Sequence, residues 1–428
     1  MGCTTPTIWG KTQSPWQASR RRRIRMRFTA RIAVIAVVTF LAGCCAIQRL
    51  IAKHEQLEFP VQLAKKKLND PLNFTEVNEH VYALYAISDG RNGNMGSNRV
   101  RVLVVAWKNT KSDYKCRFPG GTIVDAEKPY EMAENHAMPF GTYFINCKIP
   151  KNETVGSFVK FTQGNSTWVD APVIYNIPKK YKIKNYEHKL TICLPYFFGD
   201  LYTTELLVEF MELNRILGVD HVVVYINETE AFTHLSEAIA FYKKSNFLEV
   251  IHLPIPLRDD QIWYHGQLVA VTDCLYRNMG VSRFVAFQDL DEFLIPQKPE
   301  LLPRTAPLLM LMETLLVDDI ASIRVPTQYM HWKSFGELMT LRNTMRQSSI
   351  DSGLTKCVLR PEMIFEQGIH HTSRVIQDHY NATNGDENVI RLYHFKMKGG
   401  SQEDMRIVRD YGDRLTQKYR EVMAKLSL

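Results

Sequence analysis

The chain is 428 residues long, 45% hydrophobic and 23% charged, which excludes disordered and fibrous classes and leaves room for more than one domain. Its formal net charge of +8 is concentrated at the N-terminus: residues 1–31 carry Lys11, Arg20, Arg21, Arg22, Arg23, Arg25, Arg27 and Arg31 and no acidic side chain, leaving 45 basic against 45 acidic residues in the remainder. The charge therefore concerns topology, and no nucleic-acid partner is expected.

Residues 32–47 (IAVIAVVTFLAGCCAI) form an uncharged, mostly apolar run between Arg31 and Arg49. As a helix the run spans about 24 Å. Snorkelling by the flanking arginines closes the gap to a hydrocarbon core of about 30 Å. Because the basic cluster precedes the run, the positive-inside rule keeps the N-terminus cytosolic and directs the rest of the chain into the lumen. A cleaved signal peptide fits less well, since the stretch before the apolar run is long for an n-region. The expected layout is a cytosolic tail (1–31), a type II transmembrane anchor (32–48) and a lysine-rich stem (49–73), in a Golgi or other secretory-pathway membrane.

Five Asn-X-Ser/Thr glycosylation sequons follow the anchor, at Asn73, Asn152, Asn165, Asn227 and Asn381, and none precedes it, a modest excess over chance that lends weak support to a lumenal location. Five cysteines follow as well: Cys116, Cys147, Cys193, Cys274 and Cys357. Oxidising surroundings favour disulfides, and Cys116 with Cys147 is the first pair expected, both lying in strand-like segments close in sequence. The odd count leaves at least one thiol free or paired between chains.

From 74 to 180 the pattern is strand-like. β-Branched and aromatic runs at 81–87, 100–107, 141–147 and 157–161 are separated by turn-rich stretches such as 89–94. This predicts a small β-rich domain without a visible catalytic set, serving as scaffold or presenting an acceptor. From His188 onward strands and helices alternate: strand 190–194, helix 204–217 ending before Gly218, and the apolar strand 221–226. A helix then runs to about Ser245, followed by strand 247–253, helix 262–278 and strand 283–288. Such alternation predicts an α/β domain over 188–428 built on a doubly wound, mostly parallel sheet, with ligands bound beyond the carboxyl ends of its strands. The closing stretch 403–428 has the spacing of a packing helix.

At the end of the fourth strand stands Phe287-Gln288-Asp289-Leu290-Asp291-Glu292-Phe293. If the chain is extended there, Asp289 and Asp291 point to one side. Two carboxylates at a sheet edge suit Mg2+ or Mn2+ together with substrate phosphate oxygens. Such an ion holds a nucleotide diphosphate and offsets charge on it as a glycosidic bond breaks. The competing structural reading is helix capping or a plain turn.

Between His188 and about Lys396 stand, in order, His188-Lys189-Leu190-Thr191-Ile192-Cys193-Leu194-Pro195, Tyr264-His265-Gly266-Gln267, Asp273-Cys274-Leu275, Asp289-Leu290-Asp291-Glu292-Phe293 and Tyr393-His394-Phe395-Lys396. In these strings and their order the stretch resembles glycosyltransferase family 92, whose members are secretory-pathway, galactosyltransferase-like enzymes of GT-A-type fold. The resemblance implies a GT-A-like domain in which Asp289 and Asp291 bind the metal. It also implies inverting transfer of a hexose, galactose from a UDP-sugar donor, to a glycan or glycoprotein acceptor with Mn2+ (or Mg2+).

His394 fits a late histidine completing the metal site, and imidazole favours Mn2+ over Mg2+; the alternative is a core histidine with a satisfied hydrogen bond. His370-His371 is a further pair, of which at most one can join the site from a strand. Lys356 and Arg360, flanking Cys357, are candidates for the nucleotide-sugar phosphates. Inverting transfer needs a general base, and Asp351, Glu362, Glu366 and Asp378 all remain open for it. Two rivals stand beside the transferase reading: a non-catalytic glycan-binding relative and a phosphohydrolase of the haloacid dehalogenase type. The latter is disfavoured because three strands precede the motif and Phe293 stands where Thr or Val is usual.

Overall fold

The computed structural model describes residues 72–180, 185–196, 202–227, 230–333 and 336–426. The segments expected to be a cytosolic tail, an anchor and a stem lie outside them, apart from residues 72 and 73. Among the described residues no helix is long and apolar enough to cross a membrane.

The β-rich part contains β1 (Thr75–Asn78), β2 (Val81–Asp89), β3 (Arg99–Trp107), β4 (Tyr114–Arg117), β5 (Ile123–Asp125), β6 (Tyr130–Glu131), β7 (Phe140–Lys148), β8 (Phe158–Gln163) and β9 (Val169–Ile177). They follow the order β5-β4-β8-β9-β2-β3-β7-β6, with β1 on β2. β3 and β7 pair without a break from Arg99↔Lys148 to Trp107↔Phe140. One face of this sheet encloses its own core of Val102, Val104, Val159 and Phe161. There a disulfide joins Cys116 on β4 to Cys147 on β7.

The second part opens with four β units separated by three helices: β10 (His188–Leu194), α1 (Thr204–Leu217), β11 (His221–Ile226), α2 (Ser236–Lys244), β12 (Leu248–His252), α3 (Gln267–Arg277) and β13 (Ser282–Phe287). These strands are parallel, in the order β12-β11-β10-β13, and every residue of β11 is buried, as its unbroken apolar run requires. Helix α1 is delimited locally. Thr203 caps its N-terminus by accepting from the Leu206 N–H, and Gly218, at φ 105°, ends it by donating to Asn214 and Arg215 carbonyls. A second disulfide ties Cys193 on β10 to Cys274 on α3, and Cys357 is a buried free thiol.

Beyond β13 come β14 (Glu292–Pro296), α4 (Pro307–Leu315), β15 (Ile320–His331), α5 (Met339–Arg342), β16 (Met345–Arg346) and β17 (Asp351–Leu359). After them follow β18 (Ile364–Gln367), β19 (Thr372–Val375), β20 (Asn381–Asn384), β21 (Ile390–Lys396), β22 (Gln402–Glu403) and α6 (Arg406–Leu426). The expectation of a mostly parallel sheet holds for the first four strands and fails here. β17 is antiparallel to β13 and β15, and β14 is antiparallel to β21, whereas β21 runs parallel to β15. Connections in this half are mostly loops and single-turn helices such as α5, too short for parallel crossovers.

One face of the second sheet buries α1, α2, α4 and α6 around Leu207, Phe210, Tyr242, Leu308 and Leu415. On the other face α3 shares the cover with the β-rich sheet. Tyr85, Leu103 and Phe144 belong to the same apolar cluster as Val223, Leu275 and Val285.

Candidate functional site

β13 delivers the chain to the carboxyl edge of the parallel strands, where Gln288 is fully buried. Its N–H donates to the Cys193 carbonyl at 3.3 Å and its Nε2 to the Glu292 carbonyl at 2.7 Å. Residues 289–291 then form a turn, not the extended segment expected from the Asp-X-Asp spacing. The Glu292 N–H closes the turn on the Asp289 carbonyl at 3.1 Å, and the Glu292 side chain accepts from the Asp289 N–H at 2.9 Å. The two aspartates consequently take different partners instead of pointing together off one strand face.

Asp289 meets Lys356, which β17 brings alongside: Lys356 Nζ lies 2.7 Å from Asp289 Oδ2 and 3.0 Å from Glu292 Oε2. Asp291 meets His394, on the strand that pairs with β14 at Glu292↔His394. His394 Nε2 is 3.3 Å from Asp291 Oδ2, and its Nδ1 is 3.2 Å from Glu292 Oε1. Lys356, Glu292 and His394 are buried, while the side chains of Asp289 and Asp291 keep 34% and 22% of their surface exposed. The aspartates thus form the open mouth and the other three the floor.

Burial alone would push the Glu292 carboxyl up, but the Lys356 ammonium and the His394 imidazole outweigh it and hold the carboxyl below its ordinary value. Burial would likewise strip Lys356 of its proton, and Asp289 with Glu292 reverses that, keeping it charged. Tyr202 and Tyr264 border the site: burial first, and then the Asp289 charge, push both phenols up.

Three carboxylates against one ammonium leave the mouth negative, which a divalent cation would offset. The donor set fits one. Ligands about 2.1 Å from an octahedral ion stand about 3.0 Å apart, close to the separation of Asp291 Oδ2 and His394 Nε2. Glu292 Oε1 lies within ion-pair distance of the other ring nitrogen, but that buried Nδ1 has no hydrogen-bond partner, so Glu292 supplies charge beside the imidazole and does not fix its orientation. Among the described residues no group of three or more His, Cys, Asp or Glu side chains converges on one point. A cation held here would therefore take at most two of these side chains, Asp291 and His394, and would need phosphate oxygens and water for the rest of its shell.

The structure does not bring Arg360 to this site. It stands four residues past Lys356, about 13 Å along the strand direction, and donates to the Asp318 carbonyl at 2.8 Å. His370 Nδ1 contacts the Thr355 carbonyl at 3.1 Å, and His371 contacts Glu134 at 3.3 Å. Of the sequons, Asn73, Asn152, Asn165 and Asn381 are exposed, whereas Asn227 is half-buried with its Oδ1 accepting from the Ile255 N–H at 3.0 Å. Sequence reasoning missed the structural part of Glu292. Its place directly after the Asp-X-Asp, at the start of an apolar strand, was the available signal.

The profile of Glycosyltransferase family 92 matches residues 188–424. A relative, Beta-1,4-galactosyltransferase galt-1 from Caenorhabditis elegans, is 36% identical over 367 residues, covering 83% of this chain and 84% of that protein. Among solved structures, S. aureus TarS 1–349 in complex with UDP-GlcNAc aligns at 14% identity and TM-score 0.29, covering 49% of this chain and 59% of that one. The mannosyltransferase PcManGT from Pyrobaculum calidifontis, in complex with GDP-Man and Mn2+, aligns at 9% identity and TM-score 0.28, covering 56% and 65%. At these TM-scores the structural likeness carries no information about donor or mechanism. The profile match over more than half the chain and the relative aligned over most of both chains agree with the site's motif order, and this chain belongs to glycosyltransferase family 92.

Proposed function

We propose that the protein is a type II membrane enzyme of the secretory pathway that transfers galactose from UDP-galactose to a glycan acceptor, with inversion and dependence on Mn2+ or Mg2+. The observation that carries this reading is the Asp291–His394 pair, with Glu292 beside it, at the carboxyl edge of the parallel strands. The relative named a β-1,4-galactosyltransferase, which aligns over 83% of the chain, supports the choice of sugar. Two disulfides among the described cysteines support a lumenal, oxidising location.

Asp291 and His394 would hold the cation, which when bound supplies positive charge to a diphosphate leaving group. Lys356 fixes the Asp289 and Glu292 carboxylates, so the mouth is organised before donor arrives. The half-exposed Tyr264 and the neighbouring Tyr202 border the volume a sugar nucleotide would fill. Family membership removes the phosphohydrolase alternative, and a glycan-binding relative without turnover remains the competing reading.

Asp291→Asn separates the two. It keeps the side chain's shape and removes an anionic ligand, so transfer should fall at least about 100-fold with the thermal midpoint unchanged. Normal turnover in that variant contradicts the metal assignment.

A further inference from the structure

In the site so far described Asp289 and Glu292 are engaged by Lys356 and Asp291 by His394, which leaves the proton of an attacking hydroxyl without an assigned acceptor. Four carboxylates downstream of the Asp-X-Asp are open for that role, and the structure separates them. Glu362 accepts from the Gly280 N–H at 3.0 Å, in the loop that leads into β13, at the sheet end opposite Asp289. Glu366 is buried and engaged by the Ala133 N–H at 2.6 Å and by the Tyr130 hydroxyl. Asp378 pairs with Asn94 at the surface. Asp351 opens β17, the strand that carries Lys356. Because β17 is antiparallel to β13, its start lies at the sheet edge where Asp289 and Asp291 emerge.

One side chain links Asp351 to the proposed metal ligands. The Tyr329 hydroxyl donates to Asp351 Oδ2 at 3.2 Å. The Tyr329 ring centroid is 5.5 Å from that of His394, its directly paired neighbour across β15 and β21. The carboxylate is held firmly on its other oxygen, where Oδ1 accepts from the Gly353 N–H at 2.7 Å and the Leu354 N–H at 3.1 Å. A carboxylate oxygen has two acceptor sites. Tyr329 takes one on Oδ2, and the half-buried residue keeps the other for a ligand.

We propose, resting on the transferase reading above, that Asp351 is the general base that accepts the proton of the acceptor hydroxyl at Oδ2. In the step, the acceptor oxygen forms its bond to the anomeric carbon on the face opposite the nucleotide. The bond from that carbon to the phosphate oxygen breaks, and its electron pair leaves with the nucleoside diphosphate. The hydroxyl proton passes to Asp351, and no oxidant, reductant or further reactant is needed. Burial would raise the Asp351 carboxyl, but the two N–H donors, the Tyr329 hydroxyl and Lys398 outweigh it and hold it below its ordinary value. Asp351 therefore waits in the ionised form a base requires. Tyr329, which touches both Asp351 and His394, positions the base relative to the metal ligands.

The test uses the full-length chain in detergent with Mn2+, tritiated UDP-galactose and a pool of N-glycans released from serum glycoproteins. Asp351→Asn keeps an acceptor oxygen for the Gly353 and Leu354 N–H groups, so the local turn survives. We expect its kcat to fall about 100- to 10,000-fold, with the Kd for UDP-galactose and the acceptor KM changed less than about threefold. Asp351→Glu should recover part of the rate. A purely structural role would instead weaken donor binding and rate together. Asp351→Asn turning over within about threefold of wild type overturns the proposal. So does loss of transfer in His371→Gln alone, which would assign the base to the His371–Glu134 pair. A wild-type chain that neither glycosylates the pool nor hydrolyses UDP-galactose overturns the transferase reading itself, and the base with it.

Discussion

Glu292 is buried and its charge is decided by its neighbours, chiefly Lys356 and His394, and the same physics governs other buried carboxyls of this chain. Glu209 on α1 accepts from the Met339 and Thr340 N–H groups at 2.6 and 2.7 Å, and from the Thr340 hydroxyl at 2.6 Å, at the N-terminus of α5. Burial outweighs these donors and pushes its carboxyl up to about 7. The folded state then holds a proton that the unfolded chain releases near its ordinary value of 4.5. Between those two values the native state binds more protons, so this group's contribution to stability falls as pH rises. Urea unfolding of wild type and Glu209→Gln from pH 4.5 to 7.5 checks this. The stability difference should move against wild type by up to about 3 kcal/mol, and a flat difference would show that Glu209 ionises normally.

At this scale the meeting of Asp291 with His394 at one sheet edge was legible from residue type and position, whereas the turn that parts Asp289 from Asp291 was not. The use of Lys356 was not, because whether a lysine meets phosphate or a neighbouring carboxylate depends on strand pairing that local sequence does not encode. Arg360 was misplaced for the same reason: its distance from the motif is set by the antiparallel register of β17.

Among the elements, the long periodic ones were readable: the helix expected at 204–217 is α1, and the strand at 221–226 is β11. Short strands such as β6 and β16 were not, since two residues carry no period. The helix expected from 262 begins only at Gln267, because Tyr264 and His265 take left-handed conformations at φ 46° and 56°. These conformations interrupt the helix without any glycine or proline at either residue to signal it. Gly218 illustrates a stop that was legible. Its φ of +105° disfavours any side chain, and an added Cβ would stand 2.5 Å from Ala306 Cβ and 2.7 Å from Ala306 Cα. Gly218→Ala should therefore cost about 2 kcal/mol or more, measured as a lower urea midpoint with unchanged slope. An unaffected midpoint would mean that the α1–α4 contact relaxes freely.

Across the whole molecule, the expected boundary near 180–188 separates two sheets that share a core. Asp273 on α3 is the polar centre of that junction. It accepts from Tyr85 of β2 at 2.9 Å, Tyr175 of β9 at 2.7 Å, Tyr225 of β11 at 2.5 Å and Arg277 at 3.0 Å. Sequence showed Asp273 only as part of a family string, because its partners are 188 and 98 residues away in the β-rich part. Replacing it with Asn leaves the buried Arg277 without its carboxylate partner on α3 and should cost about 3–5 kcal/mol. The two sheets should still unfold in one transition, followed by tyrosine absorbance and far-ultraviolet dichroism together. Separate melting of the β-rich sheet would show that it is an independent scaffold.

The central claim is metal-dependent use of a UDP-sugar, and a binding screen tests it most directly. The full-length chain in detergent would be titrated with UDP-galactose, UDP-glucose, UDP-N-acetylglucosamine and UDP-N-acetylgalactosamine, each with Mn2+ and with chelator. Selection of UDP-galactose that chelator abolishes and Mn2+ restores is the predicted result. A folded chain that binds none of the four, or binds one equally well with chelator, would contradict the account.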